Sequence, residues 1–107
     1  MTVYTNVPIF PASFEWDEAK RVANLAKHGL DFIDAKMLFD GRPQVTYQSP
    51  REEELRHVTV GVLGGAFVAA VWTERGRAIR LISLRRARHG EEWEYRARFG
   101  GGRSGDA

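Results

Sequence analysis

One stretch of the sequence decides the fold: residues 56–84, which read RHVTVGVLGGAFVAAVWTERGRAIRLISL. Valines at every second position from residue 58 to 62 give the period of two that is typical of a β-strand. Gly64-Gly65 tolerates the positive φ angles of a tight hairpin, and Gly76 gives the following turn the same freedom. The stretch therefore predicts consecutive antiparallel strands over residues 56–62, 66–73 and 78–84.

The strand over 78–84 is predicted to lie in the centre of the sheet, because it carries apolar residues on both faces. The alternation places Ser83 and Arg85 on the same face as Ile79 and Leu81, and it places Arg80 on the opposite face. An arginine in the middle of a central strand indicates an open site or a carboxylate partner on that face.

The flanking sequence predicts helices on both sides of these strands. Asp17 is a good N-cap for a helix that ends at Gly29, and Asp31 caps a second helix that ends at residues 41–43. Short strands are expected at 14–16 and 44–49, and a last helix at 89–99. This order favours an α+β class, in which two N-terminal helices and one C-terminal helix pack around an antiparallel sheet.

A length of 107 residues indicates a single domain. We expect an irregular N-terminal arm at 1–13, the domain proper at 14–99 and a disordered tail at 100–107. The sequence has no cysteine, and its three histidines are scattered, so no metal site and no cofactor are expected. No signal peptide or spanning segment is visible, which excludes a membrane protein and fits a cytoplasmic location.

Positive charge is concentrated in the last third of the chain. Residues 74–107 contain nine arginines and five acids, and residues 75–88 contain six arginines and no acid. Guanidinium groups suit phosphate and carboxylate partners, so the cluster indicates a polyanion or an acidic protein as partner. A coding bias that favours arginine along the whole chain is the alternative interpretation.

Two motifs outside this cluster carry titratable groups. Glu54 and Arg56 stand two residues apart on a predicted strand and share a face, so they can present an acid/base group beside an anion-binding group. A surface ion pair is the alternative. Lys27 and His28 stand at the predicted end of the first helix, where cations stabilise the helix dipole, although His28 can also shuttle a proton near neutral pH.

Five segments carry a family resemblance: FEWD at 14–17, KHG at 27–29, ELR at 54–56, WTERG at 72–76 and IRLISLRRA at 79–87. In order and spacing over residues 14–95, the sequence resembles the BrnT family of toxins. One departure concerns the last helix, where Arg88 stands at the position that is usually the threonine of a capping box.

The resemblance implies a RelE-like fold and a metal-independent endoribonuclease toxin that blocks translation. It also implies a BrnA-like antitoxin that binds the toxin in a hetero-oligomer. Such a reaction needs a base, an acid and cations that face the phosphate. Glu54 is the candidate base, with Lys27 or His28 as alternatives.

Arginines complete the candidate site. The candidates for phosphate stabilisation are Arg56, Arg75 and Arg85. The residues expected to hold the RNA backbone are Lys20, Arg80, Arg86 and Arg88. A second class of function remains open, because a basic module that binds nucleic acid or an acidic protein without catalysis would show the same charge pattern.

Overall fold

The described part of the chain forms one six-stranded sheet with helices on both faces. The computed structural model describes residues 2–51 and 54–100. Within them the elements are β1 (Tyr4–Thr5), β2 (Ser13–Glu15), α1 (Glu18–His28), α2 (Phe32–Ala35), a 3₁₀ helix (Lys36–Phe39), β3 (Val45–Arg51), β4 (Glu54–Leu63), β5 (Ala66–Arg75), β6 (Ala78–Arg86) and α3 (His89–Phe99). The strands lie in the order β1-β3-β4-β5-β6-β2, antiparallel except for β2 beside β6. The predicted α+β class is confirmed.

The glycine turns form as the sequence predicts. Gly64 and Gly65, with φ angles of 57° and 82°, join β4 to β5. Gly76, with a φ angle of 64°, joins β5 to β6. The three hairpin-forming strands are therefore confirmed, and each is longer than the range predicted for it.

The N-terminal arm is less irregular than predicted. Tyr4 pairs with Tyr47 of β3, and β2 already begins at Ser13. Between these strands the Val7 carbonyl accepts a hydrogen bond of 3.0 Å from Gln44 Nε2. Two-residue pairings of this kind leave no periodicity in the sequence, so pattern analysis does not detect them. Most of the predicted tail, residues 101–107, lies outside the described residues.

A β-bulge changes the facing of the second half of β6. Val71 pairs with Ser83 while its neighbour Trp72 pairs with Leu81, so Ile82 is an extra residue on β6. A bulge of this kind shifts every later side chain to the other face of the sheet.

The predicted facing of Ser83 and Arg85 is therefore wrong. Cross-strand partners share a face, and Arg85 pairs with Ala69 whereas Leu84 pairs with Ala70. Leu84 thus joins the side that faces α2, and Arg85 joins Arg80 on the side that faces α3.

Each face of the sheet has its own apolar core. On the first face, Phe32 and Leu38 pack with Trp72, Leu81 and Leu84. On the second face, the residues in contact are Val45, Val58, Val60, Ala69 and Tyr95, of which Tyr95 belongs to α3. The helix α3 covers only part of this second face, and the rest carries polar side chains.

The helix α1 packs against the edge of the sheet through a polar residue. Asn24 is its buried residue, whereas Val22 and Leu25 are 55% and 42% exposed. Asn24 Nδ2 donates to the Leu84 carbonyl at 2.8 Å, and Leu84 N donates back to Asn24 Oδ1 at 3.2 Å. This pairing occupies the edge of β6 beyond its short contact with β2, and it fixes α1 beside the uncovered part of the second face.

Candidate functional site

A cavity of about 480 Å³ lies at the end of the sheet where β4 begins and β5 ends. Its lining contains no residue of α3. The lining residues are Lys20, Glu54, Leu55, Arg56, His57, Thr73, Glu74, Arg75, Arg80 and Ile82. We call it the cationic cavity, because four cationic side chains and two carboxylates line it.

Glu54 and Arg56 lie side by side at the start of β4. Arg56 Nε donates to Glu54 Oε2 at 2.7 Å, and both side chains are partly exposed, at 31% for Arg56 and 45% for Glu54. The contact uses one oxygen of the carboxylate and one of the five guanidinium hydrogens. As far as the described residues are concerned, one carboxylate oxygen and most of the guanidinium donors therefore remain available to a ligand.

The other three cations come from three different elements. Lys20 stands in the first two turns of α1, Arg75 ends β5, and Arg80 lies near the start of β6. Arg80 Nη1 is 3.5 Å from Glu15 Oε1, which is a weak contact. Within residues 2–51 and 54–100, neither Lys20 nor Arg75 has a side-chain hydrogen bond or an ion pair. The cavity therefore concentrates positive charge that the described protein does not neutralise.

The structure does not bring Lys27 and His28 to this cavity. Both stand in the last turn of α1, and Gly29 closes the helix with a φ angle of 70° and an N–H bond of 2.8 Å to the Leu25 carbonyl. The position agrees with the interpretation in which these cations stabilise the helix end.

Three of the predicted arginines also lie elsewhere. Arg85 and Arg86 end β6, and Arg88 precedes α3, so none of them lines the cationic cavity. Arg85 shares the face of Arg80, but it lies five residues further along β6, beside Ala69 and under the part of this face that α3 covers.

Arg85 is instead bound to a buried carboxylate. Its Nη1 and Nη2 donate to Glu91 Oε1 and Oε2 at 2.8 Å and 2.9 Å, and Glu91 is 3% exposed. Tyr47 donates its hydroxyl to the same carboxylate, and so does the backbone N–H of Arg88, at 2.8 Å. The last contact is half of a capping box, so α3 retains a cap although Arg88 replaces the usual threonine.

These contacts shift the pKa values of the buried groups. Burial disfavours the charged form of Glu91, but the hydrogen bonds from Arg85, Arg88 and Tyr47 outweigh it and lower its pKa below the ordinary value. Burial and the bond to Glu91 raise the pKa of Tyr47 to about 12. Glu91 is therefore an ionised anchor for α3.

Sequence reasoning missed His57, which lines the cationic cavity and stacks on Trp72 with ring centroids 4.4 Å apart. The alternation in β4 gave no signal for this residue, because it places His57 on the same face as Thr59 and opposite Arg56. The pairing with Trp72 depends on the register between β4 and β5, which the sequence alone does not specify.

Two further observations apply to the described residues. Within 2–51 and 54–100, no three histidine, aspartate or glutamate side chains lie close enough together to hold a metal ion. No helix in the same residues is long and apolar enough to cross a membrane.

The fold and the cavity together define a small α+β protein with a cationic site on the open part of a sheet. Residues 16–91 match the family described as the ribonuclease toxin, BrnT, of the type II toxin–antitoxin system, and the chain belongs to this family. The match contains every residue that lines the cationic cavity. No curated protein matches the chain.

Proposed function

We propose that this protein is a RelE-like endoribonuclease toxin that cleaves RNA in the cationic cavity without a metal ion and thereby inhibits translation. One observation carries the proposal. The pair formed by Glu54 and Arg56 lies among further cations, two of them unpaired within the described residues, and the whole arrangement falls inside the segment matched by the ribonuclease family.

The reaction that fits these groups uses the 2′-hydroxyl of the RNA as nucleophile. Glu54 accepts the hydroxyl proton, the 2′-oxygen bonds to the adjacent phosphorus, and the bond from phosphorus to the 5′-oxygen breaks. The products are a 2′,3′-cyclic phosphate and a 5′-hydroxyl end. A positioned acid/base group typically accelerates such a step by about 10²–10⁴-fold.

Arg56 has two functions in this scheme. Its Nε holds Glu54 at 2.7 Å and so fixes the direction in which the carboxylate points. Its remaining N–H groups contact the phosphate oxygens, on which negative charge accumulates in the transition state. Preorganised donors in such positions stabilise the charge without rearrangement during the reaction.

Lys20, Arg75 and Arg80 complete the electrostatic environment of the phosphate. Arg75 and Arg80 approach from neighbouring strands and neutralise the phosphate charge. Lys20 approaches from α1 and donates a proton to the leaving 5′-oxygen. Each group comes from a different rigid element, which is the arrangement that holds donors in a fixed geometry.

The family implies a protein antitoxin and an RNA target. We propose that the antitoxin is BrnA-like, that it binds in a hetero-oligomer in the cytoplasm, and that it covers the cationic cavity with acidic side chains. Covering this surface relieves the repulsion among its cations and excludes RNA at the same time.

The decisive experiment is cleavage of purified RNA in excess EDTA. We expect the wild-type protein to cleave, and Glu54→Gln to lose at least about 100-fold in the single-turnover rate with little change in RNA affinity. Asp34→Asn is the matched control, because Asp34 is exposed on α2 and lies outside the cavity lining. A cell-free translation reaction should stop with the wild-type protein and continue with Glu54→Gln.

Two results would contradict the proposal. Activity that disappears on chelation and returns with a divalent ion would remove the metal-independent mechanism. RNA binding without cleavage, in a wild-type protein that is folded, would instead support the non-catalytic basic module.

A further inference from the structure

A second cavity, of about 710 Å³, adjoins the cationic cavity. The two cavities share His57 and Glu74 in their linings. The cationic cavity receives Arg56 and Arg80 from the second face, and the two cavities border each other where the pairing of β4 with β5 ends, at His57 and Trp72. The second cavity opens on the first face of the sheet, between the side chains of β3, β4 and β5 and the N-terminal arm. Its lining is mixed, with Thr46, Gln48, His57 and Trp72 on the sheet and Val3 and Ile9 on the arm.

Gln48, His57 and Trp72 form a row across three strands on this face. Gln48 pairs with His57, and His57 pairs with Trp72. The rings of His57 and Trp72 are stacked, with centroids 4.4 Å apart and planes 22° from parallel. His57 is partly exposed, whereas Trp72 is 3% exposed.

The Trp72 ring of this stacked pair is held in place by two contacts. Trp72 Nε1 donates to Thr59 Oγ1 at 2.9 Å, and the indole packs edge-on against Phe39 at 5.8 Å. Thr59 in turn bonds to Thr46 at 2.8 Å. A buried ring held by a hydrogen bond and by an aromatic contact has little freedom to rotate, so it holds the imidazole above it in one plane.

Three polar side chains that line this cavity have no hydrogen-bond or ion-pair partner among the described residues. Within residues 2–51 and 54–100, the side chains of Gln48, His57 and Glu74 form no hydrogen bond or ion pair. An amide, an imidazole and a carboxylate together present both donors and acceptors to a ligand. The lining therefore combines a stacking surface with groups that can bind the edge of a flat, polar ring.

We propose that this second cavity is a base pocket, which binds one nucleobase of the RNA strand whose phosphodiester is cleaved in the cationic cavity. The inference rests on the proposed function, because it assigns the RNA to the adjoining site. A base has the two properties that the pocket matches, a π-face for stacking and an edge of donors and acceptors. The shared border at His57 and Glu74 allows one strand to place its phosphate in one cavity and a neighbouring base in the other.

The geometry also predicts which parts of the pocket act on affinity and which act on base preference. His57 supplies stacking, which every base accepts, so its ring contributes affinity at one nucleotide position. Gln48 lies beside that ring and has a bidentate amide, so it contributes discrimination between bases at the same position.

The test is an abasic scan with 2′-O-methyl RNA, which cannot be cleaved because it lacks the attacking hydroxyl. For the wild-type protein, removal of one base beside the cleaved bond should weaken binding by about 5- to 150-fold, the range for loss of one stacked base. His57→Ala should weaken binding of the intact oligonucleotide by a similar factor, and it should make removal of that base nearly neutral. His57→Phe keeps a flat ring and should restore binding.

His89→Ala is the matched control, because His89 is exposed at the start of α3 and lines neither cavity. A flat abasic scan, or a His57→Ala variant that remains as sensitive to base removal as the wild-type protein, would overturn the base pocket while cleavage in EDTA still supports the proposed function. If His57→Ala binds RNA with the wild-type dissociation constant but is no longer neutralised by the antitoxin, the base pocket would be overturned in favour of a protein ligand. Absence of both RNA binding and cleavage in the wild-type protein would overturn both proposals.

Discussion

Asn24 pairs with the backbone of Leu84 as a neighbouring strand would. Its amide both donates to the Leu84 carbonyl and accepts from the Leu84 N–H, at 2.8 Å and 3.2 Å. The side chain therefore satisfies two backbone groups at the open edge of β6 and fixes the position of α1. Lys20 stands one turn before Asn24 on that helix, so the same contact determines where the lysine enters the cationic cavity.

The first prediction concerns this contact. Asn24→Ala should lower the free energy of unfolding by about 2–4 kcal/mol, because it leaves a buried N–H and a buried carbonyl without partners. Urea unfolding should show a lower midpoint at an unchanged slope. Asn6→Ala, at an exposed position in the arm, should change stability by less than about 0.5 kcal/mol. Equal midpoints for the two variants would mean that water replaces the amide without cost.

The second prediction separates Arg85 from the reaction. Arg85→Lys keeps the charge but loses the two parallel bonds to Glu91, so it should destabilise the protein by about 1–3 kcal/mol. The cleavage rate per folded molecule should stay within about twofold of the wild-type rate, because Arg85 lies outside the cationic cavity. Arg86→Lys is the control for stability, since Arg86 is exposed. A large loss of rate at unchanged stability would return Arg85 to the catalytic site.

The third prediction is a pH dependence that originates from Glu91. Its pKa is lowered in the folded protein, so its ionised form contributes stability above the ordinary pKa of about 4.5, and this contribution is lost as the pH falls through the folded value. As the pH falls below the ordinary pKa, the free energy of unfolding should therefore fall more steeply in the wild-type protein than in Glu91→Gln. Parallel curves for the two proteins would show that Glu91 does not carry the effect.

The fourth prediction concerns a close approach in the sheet. A Cβ atom added at Gly61 would lie 2.6 Å from Leu38 Cδ2 and so would collide with a buried side chain. Gly61→Ala should cost about 1–3 kcal/mol of stability through overpacking. Gly90→Ala is the matched control: Gly90 lies in the first turn of α3 with nothing within 4 Å of the added atom. Thermal unfolding should show a lower midpoint for the first variant and an equal or higher midpoint for the second.

The fifth prediction tests the charge of the cationic cavity by salt dependence. Arg75→Ala should weaken RNA binding and reduce the slope of log K against log salt by about 0.7, the value for one phosphate contact on a single strand. Arg77→Ala removes the same charge from the same turn, but Arg77 does not line the cavity, and its effect on the slope should be smaller. Identical slopes for both variants would indicate a diffuse attraction to the turn and no defined phosphate contact.

The sequence predicts the strands and their turns because the information is local. Alternating valines and the glycines at 64, 65 and 76 act within a few residues, and the structure confirms them. The pairing of Glu54 with Arg56 was also predictable, because residues two apart on a strand share a face in any fold.

Long-range register was not predictable from the same patterns. The bulge at Ile82 depends on how β5 and β6 align, and it reverses the facing of Ser83 and Arg85. The stacking of His57 on Trp72 depends on a second alignment, between β4 and β5. The side of the sheet that Arg85 occupies and the stacking of His57 on Trp72 both depend on strand alignment, so local patterns could predict neither of them.

The hydrogen bonds that support Trp72 run in a single direction. The indole N–H only donates, so Thr59 accepts from it and gives its own proton to Thr46, which donates to Gln44 Oε1 while Gln44 Nε2 donates to the Val7 carbonyl. Each hydroxyl in this chain of hydrogen bonds therefore has one allowed orientation, and the chain ends on the N-terminal arm. These bonds connect the backbone at residue 7 to the ring on which His57 stacks, so we expect a fusion or truncation ahead of this residue to alter the stacking surface.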